Sequence, residues 1–158
     1  MQTVSVPMEQ LVQLLAVQLE KGQAPLRVTG SSMHPILRDQ KDTVYLQTPR
    51  KPLKKGDVIL YRRDNGVYVL HRIVKCRGEE RYICSGDNQF VPEEVFGEQV
   101  LAVVDTICRG GKVIPVGHIG YRAFVWLWVL IFPVRRPILA LRRYLAKLRR
   151  RRIKRNNT

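Results

Sequence analysis

Two neighbouring hydroxyls and one imidazole are the groups in this chain whose types and setting suit chemistry. Ser31 and Ser32 lie in "GSSMHP" at residues 30–35, and His71 lies in "VLHRIV" at residues 69–74. A Gly-Ser-Ser-x-x-Pro stretch is by itself an ordinary turn, because glycine, serine and proline each suit turn backbone. A serine becomes a nucleophile only beside a base that takes its proton. An imidazole, with an unperturbed pKa of about 6.5, can do that near neutral pH. A single histidine among β-branched neighbours is, on residue type alone, a satisfied core or edge residue. Chemistry therefore depends on whether the fold brings Ser32 and His71 together.

The elements that would do so are legible as alternating patterns. Pro7 to Gly22 reads as an amphipathic helix, with Met8, Leu11, Val12, Leu15 and Leu19 on one face and Gly22 as its stop. Short β-rich runs follow: Leu26–Thr29, Thr43–Thr48, Asp57–Arg62, Val67–Lys75, Arg81–Ser85, Val100–Cys108 and Lys112–Val116. Asp64-Asn65-Gly66 is the strongest hairpin signal among them. In the strand that follows, alternation places Val67, Val69, His71 and Ile73 on one side and Tyr68, Leu70, Arg72 and Val74 on the other. "CSGDN", residues 84–88, reads as a strand running into a tight acidic turn. Short strands without intervening helices predict a mainly β chain built on a coiled antiparallel sheet or small barrel.

Charge divides the chain. Its 158 residues carry a net charge of +15, yet residues 119–158 hold 12 Lys and Arg and no acid, leaving 16 basic residues against all 13 acids in residues 1–118. We therefore expect an N-terminal helix over residues 1–25, a mildly basic β domain over 26–118 and a distinct tail over 119–158. The tail opens with the 12-residue run "AFVWLWVLIFPV", residues 123–134, which is shorter than the roughly 20 apolar residues of a spanning helix. Pro133 and Pro137 interrupt it, and beyond them Ile138, Leu141, Tyr144, Leu145 and Leu148 share a helical face among arginines. That pattern predicts a segment lying in a membrane interface rich in anionic lipid. A nucleic-acid tail is disfavoured, because the adjoining tryptophan-rich run would have no role there.

Cys76, Cys84 and Cys108 are an odd number in a domain that needs no staples. A Cys76–Cys84 bridge is conceivable, but buried thiols in a reducing compartment fit better. No zinc-ligand spacing is present, and we expect neither metal nor cofactor. The N-terminus lacks the charged, apolar and small-residue regions of a secretory signal.

Taken in order, "GSSMHP", "KKGDVILY", "VLHRIV" and "CSGDNQ" resemble the boxes of the superfamily of type I signal peptidases and repressor-cleaving serine peptidases. The resemblance covers residues 26–107. Most bacterial members carry a lysine where this chain has His71, so the likeness is to the endoplasmic-reticulum and archaeal kind, which pairs serine with histidine. It implies the family's coiled β core, Ser32 as nucleophile, His71 as general base and Asp87 as the acid that orients the imidazole. The family often has a second acid after Gly-Asp-Asn, and Val91-Pro92-Glu93-Glu94 occupies that region here, so Glu93 is the alternative acid. Many signal peptidases also place an oxyanion-stabilising serine two positions before the nucleophile. Gly30 stands there, which leaves backbone N–H groups for that task and is closer to the repressor branch.

His34, next-but-one to Ser32, is expected to face substrate or solvent. His118 has no evident partner, and Tyr61, Arg72 and Arg38 read as scaffold. The resemblance implies a serine endopeptidase that cuts an extended peptide, such as the leader of a precursor, through an acyl-enzyme. With no N-terminal anchor evident and a basic tail, we expect association with the cytoplasmic face of a membrane. The contrasting expectation is a non-catalytic or self-cleaving module of the same fold, binding membrane or nucleic acid through the tail.

Overall fold

The computed structural model describes residues 15–50, 52–78, 80–89 and 91–132. The tail sequence beyond residue 132 and the first part of the helix expected over residues 7–22 lie outside the described residues. Residues 15–20 form α1, and the chain leaves it at Gly22, whose φ of 120° is a conformation that residues with a Cβ rarely adopt. The strands are β1 (Ala24–Arg27), β2 (Asp42–Gln47), β3 (Val58–Arg62), β4 (Tyr68–Cys76), β5 (Arg81–Ser85), β6 (Glu93–Phe96), β7 (Val100–Arg109) and β8 (Lys112–Pro115). A 3-10 turn, Gly97–Gln99, joins β6 to β7, and α2 (Ile119–Leu130) follows β8.

The protein is mainly β, as expected. Its strands form one antiparallel half-barrel in the order β1-β2-β7-β3-β4-β5-β6, with β8 paired to β7 off that path. The β3–β4 hairpin forms at the predicted turn: Gly66 takes φ 82°, and the Arg63 N–H donates to the Val67 carbonyl across 2.9 Å. β6 went unrecognised because its two glutamates are poor strand formers. It is an edge strand fixed by one buried side chain, Val95, and by pairing to β5 alone.

Both faces of the sheet are covered. One face gathers Val28, Met33, Leu37, Val44, Leu46, Val58, Leu60, Ala102, Val104 and Ile107, with Leu15 of α1 packed against them. The other gathers Ile59, Tyr61, Ile73, Tyr82, Cys84, Val95 and Val103. Alternation in β3 explains the division, since Val58 and Leu60 face one way and Ile59 and Tyr61 the other. β7 would break this parity, because Val104 and Ile107 are three apart yet share a face. A bulge resolves it: Tyr45 pairs with Thr106 and Leu46 with Val104, so Asp105 is the extra residue.

His118 immediately precedes α2, and its Nδ1 accepts the Gly120 N–H across 3.2 Å, which gives that histidine its role as an N-cap. Val125 and Val129 of α2 are buried against Val74. Ile119, Trp126, Leu127 and Leu130 of the same helix are exposed. No helix among the described residues is long and apolar enough to cross a membrane. The three cysteines are free, with Cys84 buried and Cys76 exposed.

Candidate active site

Ser32 is set by its neighbours in the loop between β1 and β2. Met33 and Leu37 are buried in the first core face, and the Leu37 N–H donates to the Met33 carbonyl across 2.9 Å, so the residue after the serine anchors the turn. Gly30, at φ 83°, donates its N–H to Asp39 Oδ1 across 2.9 Å. The loop is fastened to the turn after β5. The Asn88 N–H donates to the Ser32 carbonyl across 2.7 Å, and Asn88 Nδ2 donates to the Ser31 carbonyl across 3.2 Å. A methyl group on Gly86 would stand 2.6 Å from the Ser32 carbonyl oxygen, so glycine is what permits this approach.

His71 lies in the middle of β4, directly opposite Ile59 of β3, and is 1% exposed. Its Nδ1 is 2.9 Å from Glu93 Oε1 and 3.0 Å from the Tyr61 hydroxyl, which itself donates to Glu93 Oε1. Glu93 is held in turn by Arg63, with Nε 2.7 Å from Oε2 and Nη2 2.8 Å from Oε1. Burial lowers the His71 pKa below its ordinary value even though the Glu93 carboxylate pulls the other way. Burial works to raise the Glu93 carboxyl, but Arg63 and Tyr61 outweigh it and its pKa lies below the usual value. Burial and the Glu93 carboxylate both push the Tyr61 phenol well above its normal range, so it is a neutral donor.

The acid in contact with His71 is therefore Glu93. Asp87 is engaged elsewhere: its two oxygens receive Arg72 Nε at 2.9 Å and Nη2 at 2.8 Å, and both side chains are fully buried. Asp87 also accepts Trp128 Nε1 of α2 at 2.9 Å, while Arg72 Nη1 reaches the Gly56 carbonyl at 2.8 Å. Arg72 matches its reading as scaffold. Arg38 does too, through its 2.9 Å contact with Asp42.

The turn after β5 lies between the two elements: Ser85 pairs with Arg72, the residue after His71, and the Asn88 N–H is bonded to the Ser32 carbonyl. Among the described residues no hydrogen bond joins Ser32 Oγ to His71. The contacts at Nδ1 come from side chains within the site, and no metal-binding group of His, Cys, Asp and Glu occurs among the described residues.

Reading the sequence took Tyr61 for scaffold and did not single out Arg63, although both touch Glu93. The signal was present in the hairpin: a turn at residues 64–66 pairs Tyr61 with Val69 and Ile59 with His71, so odd-numbered residues of both strands share a face. A cavity of about 390 Å³, lined by neither Ser32 nor His71, lies between α2 and residues 54–58. No protein-family model matches this chain, and no curated protein matches it.

Proposed function

We propose that this protein is a serine endopeptidase of the signal-peptidase kind, with Ser32 as nucleophile, His71 as general base and Glu93 as the acid that orients the imidazole. The observation that carries the reading is the contact of His71 Nδ1 with Glu93 Oε1 at 2.9 Å. A carboxylate accepts only, so the hydrogen belongs on Nδ1 and the lone pair on Nε2, which is the form a base requires. Ser32 Oγ attacks the scissile carbonyl while Nε2 takes its proton. The C–N bond then breaks as Nε2 returns that proton to the leaving amine, and water hydrolyses the Ser32 ester by the same route. Asp39 occupies the Gly30 N–H, so the oxyanion is assigned to other backbone donors of the loop, the N–H groups of Ser32 and Met33. Hydrogen bonds between nucleophile and base often tighten only with substrate bound, which accommodates the absence of one between Ser32 Oγ and His71 here.

The substrate class is an extended peptide segment, such as the leader of a precursor, laid along the sheet. The exposed Ile119, Trp126, Leu127 and Leu130 on α2, ahead of the basic sequence, support a site of action at an anionic membrane surface on the cytoplasmic face. A second reading, a non-catalytic or self-cleaving module, draws on the burial of His71 and its lack of a hydrogen bond to Ser32. Incubation with a peptide library tests between the two. Cleavage by the wild type that disappears in Ser32→Ala and in His71→Ala, both still folded, is expected. Full cleavage by either variant overturns the mechanism.

A further inference from the structure

The clamp on Glu93 asks more of Arg63 than a surface ion pair does. Glu93 is about a quarter exposed and sits at the first position of the edge strand β6. A carboxylate so placed has free rotation toward water open to it. Three donors converge on Oε1, from Tyr61, Arg63 and His71, and among the described residues Arg63 alone holds Oε2. The planar fork of a guanidinium fixes the plane of the carboxylate it grips, which a point charge does not.

We propose that Arg63 is a positioning residue that, by holding both oxygens of Glu93, keeps the hydrogen of His71 on Nδ1 and leaves Nε2 as the bare nitrogen. Without the fork, Glu93 turns toward solvent and His71 Nδ1 keeps only the Tyr61 hydroxyl, which can donate as well as accept. The imidazole is then free to carry its hydrogen on either nitrogen. The groups facing His71 are Tyr61 of β3, Arg63 just beyond it, Cys84 of β5, Glu93 of β6 and Asp87 in the turn after β5. Among the described residues only Glu93 and Tyr61 touch Nδ1. Cys84, buried and pushed up to about 12, stays a neutral thiol.

The importance of Arg63 for turnover rests on the reading of His71 as the base, but its effect on the tautomer does not. Nitrogen-15 NMR of the side chains of the three histidines, recorded above the His71 pKa, reads the tautomer directly and needs no substrate. The wild type is expected to show Nδ1–H. Arg63→Gln is expected to show a mixture or Nε2–H, with circular dichroism unchanged. Arg63→Lys keeps the charge and the aliphatic stem and is expected to lose the single tautomer too; it replaces Arg63→Gln should that variant unfold. Nδ1–H retained in a folded Arg63 variant, or Nε2–H in the wild type, overturns the proposal. In a cleavage assay the same variants should lower kcat at least tenfold with KM within twofold. A tautomer change without any wild-type cleavage would instead count against the peptidase reading alone.

Discussion

The carbonyl of Ser32 accepts the backbone N–H of Asn88 across 2.7 Å, so main chain as well as the Asn88 and Asp39 side chains holds the loop carrying the candidate nucleophile. The turn that supplies this N–H begins at Gly86, where any Cβ would collide with that same carbonyl. Gly86→Ala is expected to displace the serine loop and destabilise the protein by about 1–3 kcal/mol, the usual range for an overpacked site. Urea denaturation gives the cost, and loss of peptide cleavage reports the displacement. A variant with unchanged midpoint and activity would show that the close approach is dispensable.

The two acids near the site should separate by what they damage. Asp87→Ala leaves the fully buried Arg72 without its carboxylate, and uncompensated buried charges of this kind cost about 3–5 kcal/mol. Glu93→Gln alters a partly exposed edge residue, and we expect a change in midpoint equivalent to less than 1 kcal/mol but at least a hundredfold loss of kcat. Parallel denaturation and kinetic measurements check both. The reverse pattern would return Asp87 to the role of orienting acid.

Burial depresses the His71 pKa, so the acid limb of kcat/KM should have its midpoint below the ordinary 6.5 of an imidazole. Glu93→Gln removes the carboxylate that raises this pKa and should move the His71 midpoint lower still, as followed by NMR titration. Stability follows with a definite sign. An imidazole in the unfolded chain takes up a proton near pH 6.5 while the folded one resists, so stability present above that value is lost as pH falls toward the folded pKa. The lowered Glu93 carboxyl acts in the same direction over a more acidic window, below its ordinary 4.5.

Trp126 and Trp128 are two residues apart and should report different events. Trp128 donates to Asp87, whereas Trp126 is 68% exposed. Adding anionic vesicles is expected to shift the Trp126 emission to the blue. Trp126→Ser should weaken vesicle binding while leaving the denaturation midpoint within about 0.5 kcal/mol, as surface changes do. Equal binding by the variant would remove the exposed face of α2 from the membrane reading.

Most of the sheet was legible because strand periodicity and turn chemistry agree; β5 spans Arg81–Ser85 as expected, and the β3–β4 hairpin forms where Asn65-Gly66 demanded it. β1 lies at Ala24–Arg27 rather than Leu26–Thr29, because the N–H and the carbonyl of Val28 are already taken by Asp42 and Gln40. Of the candidate site, the positions of Ser32 and His71 in a turn and a strand could be read locally. The choice between Asp87 and Glu93 could not, because it depends on β6, whose pairing follows from one buried valine and not from propensity. Tyr61 and Arg63 sat one step from reach, on the face that hairpin register shares with His71.

In the sheet, β7 is the seam between β1-β2, which bracket the serine loop, and β3 to β6, which carry the histidine and its acid. Every strand pairing across that seam waits for residues 100–109. During synthesis the two halves therefore emerge as unjoined hairpins, and contacts so distant along the chain form late and slowly. On the proposed peptidase reading, a nascent chain stopped short of β7 would carry Ser32 and His71 on halves not yet joined, and cleavage would wait until nearly the whole β domain had left the ribosome.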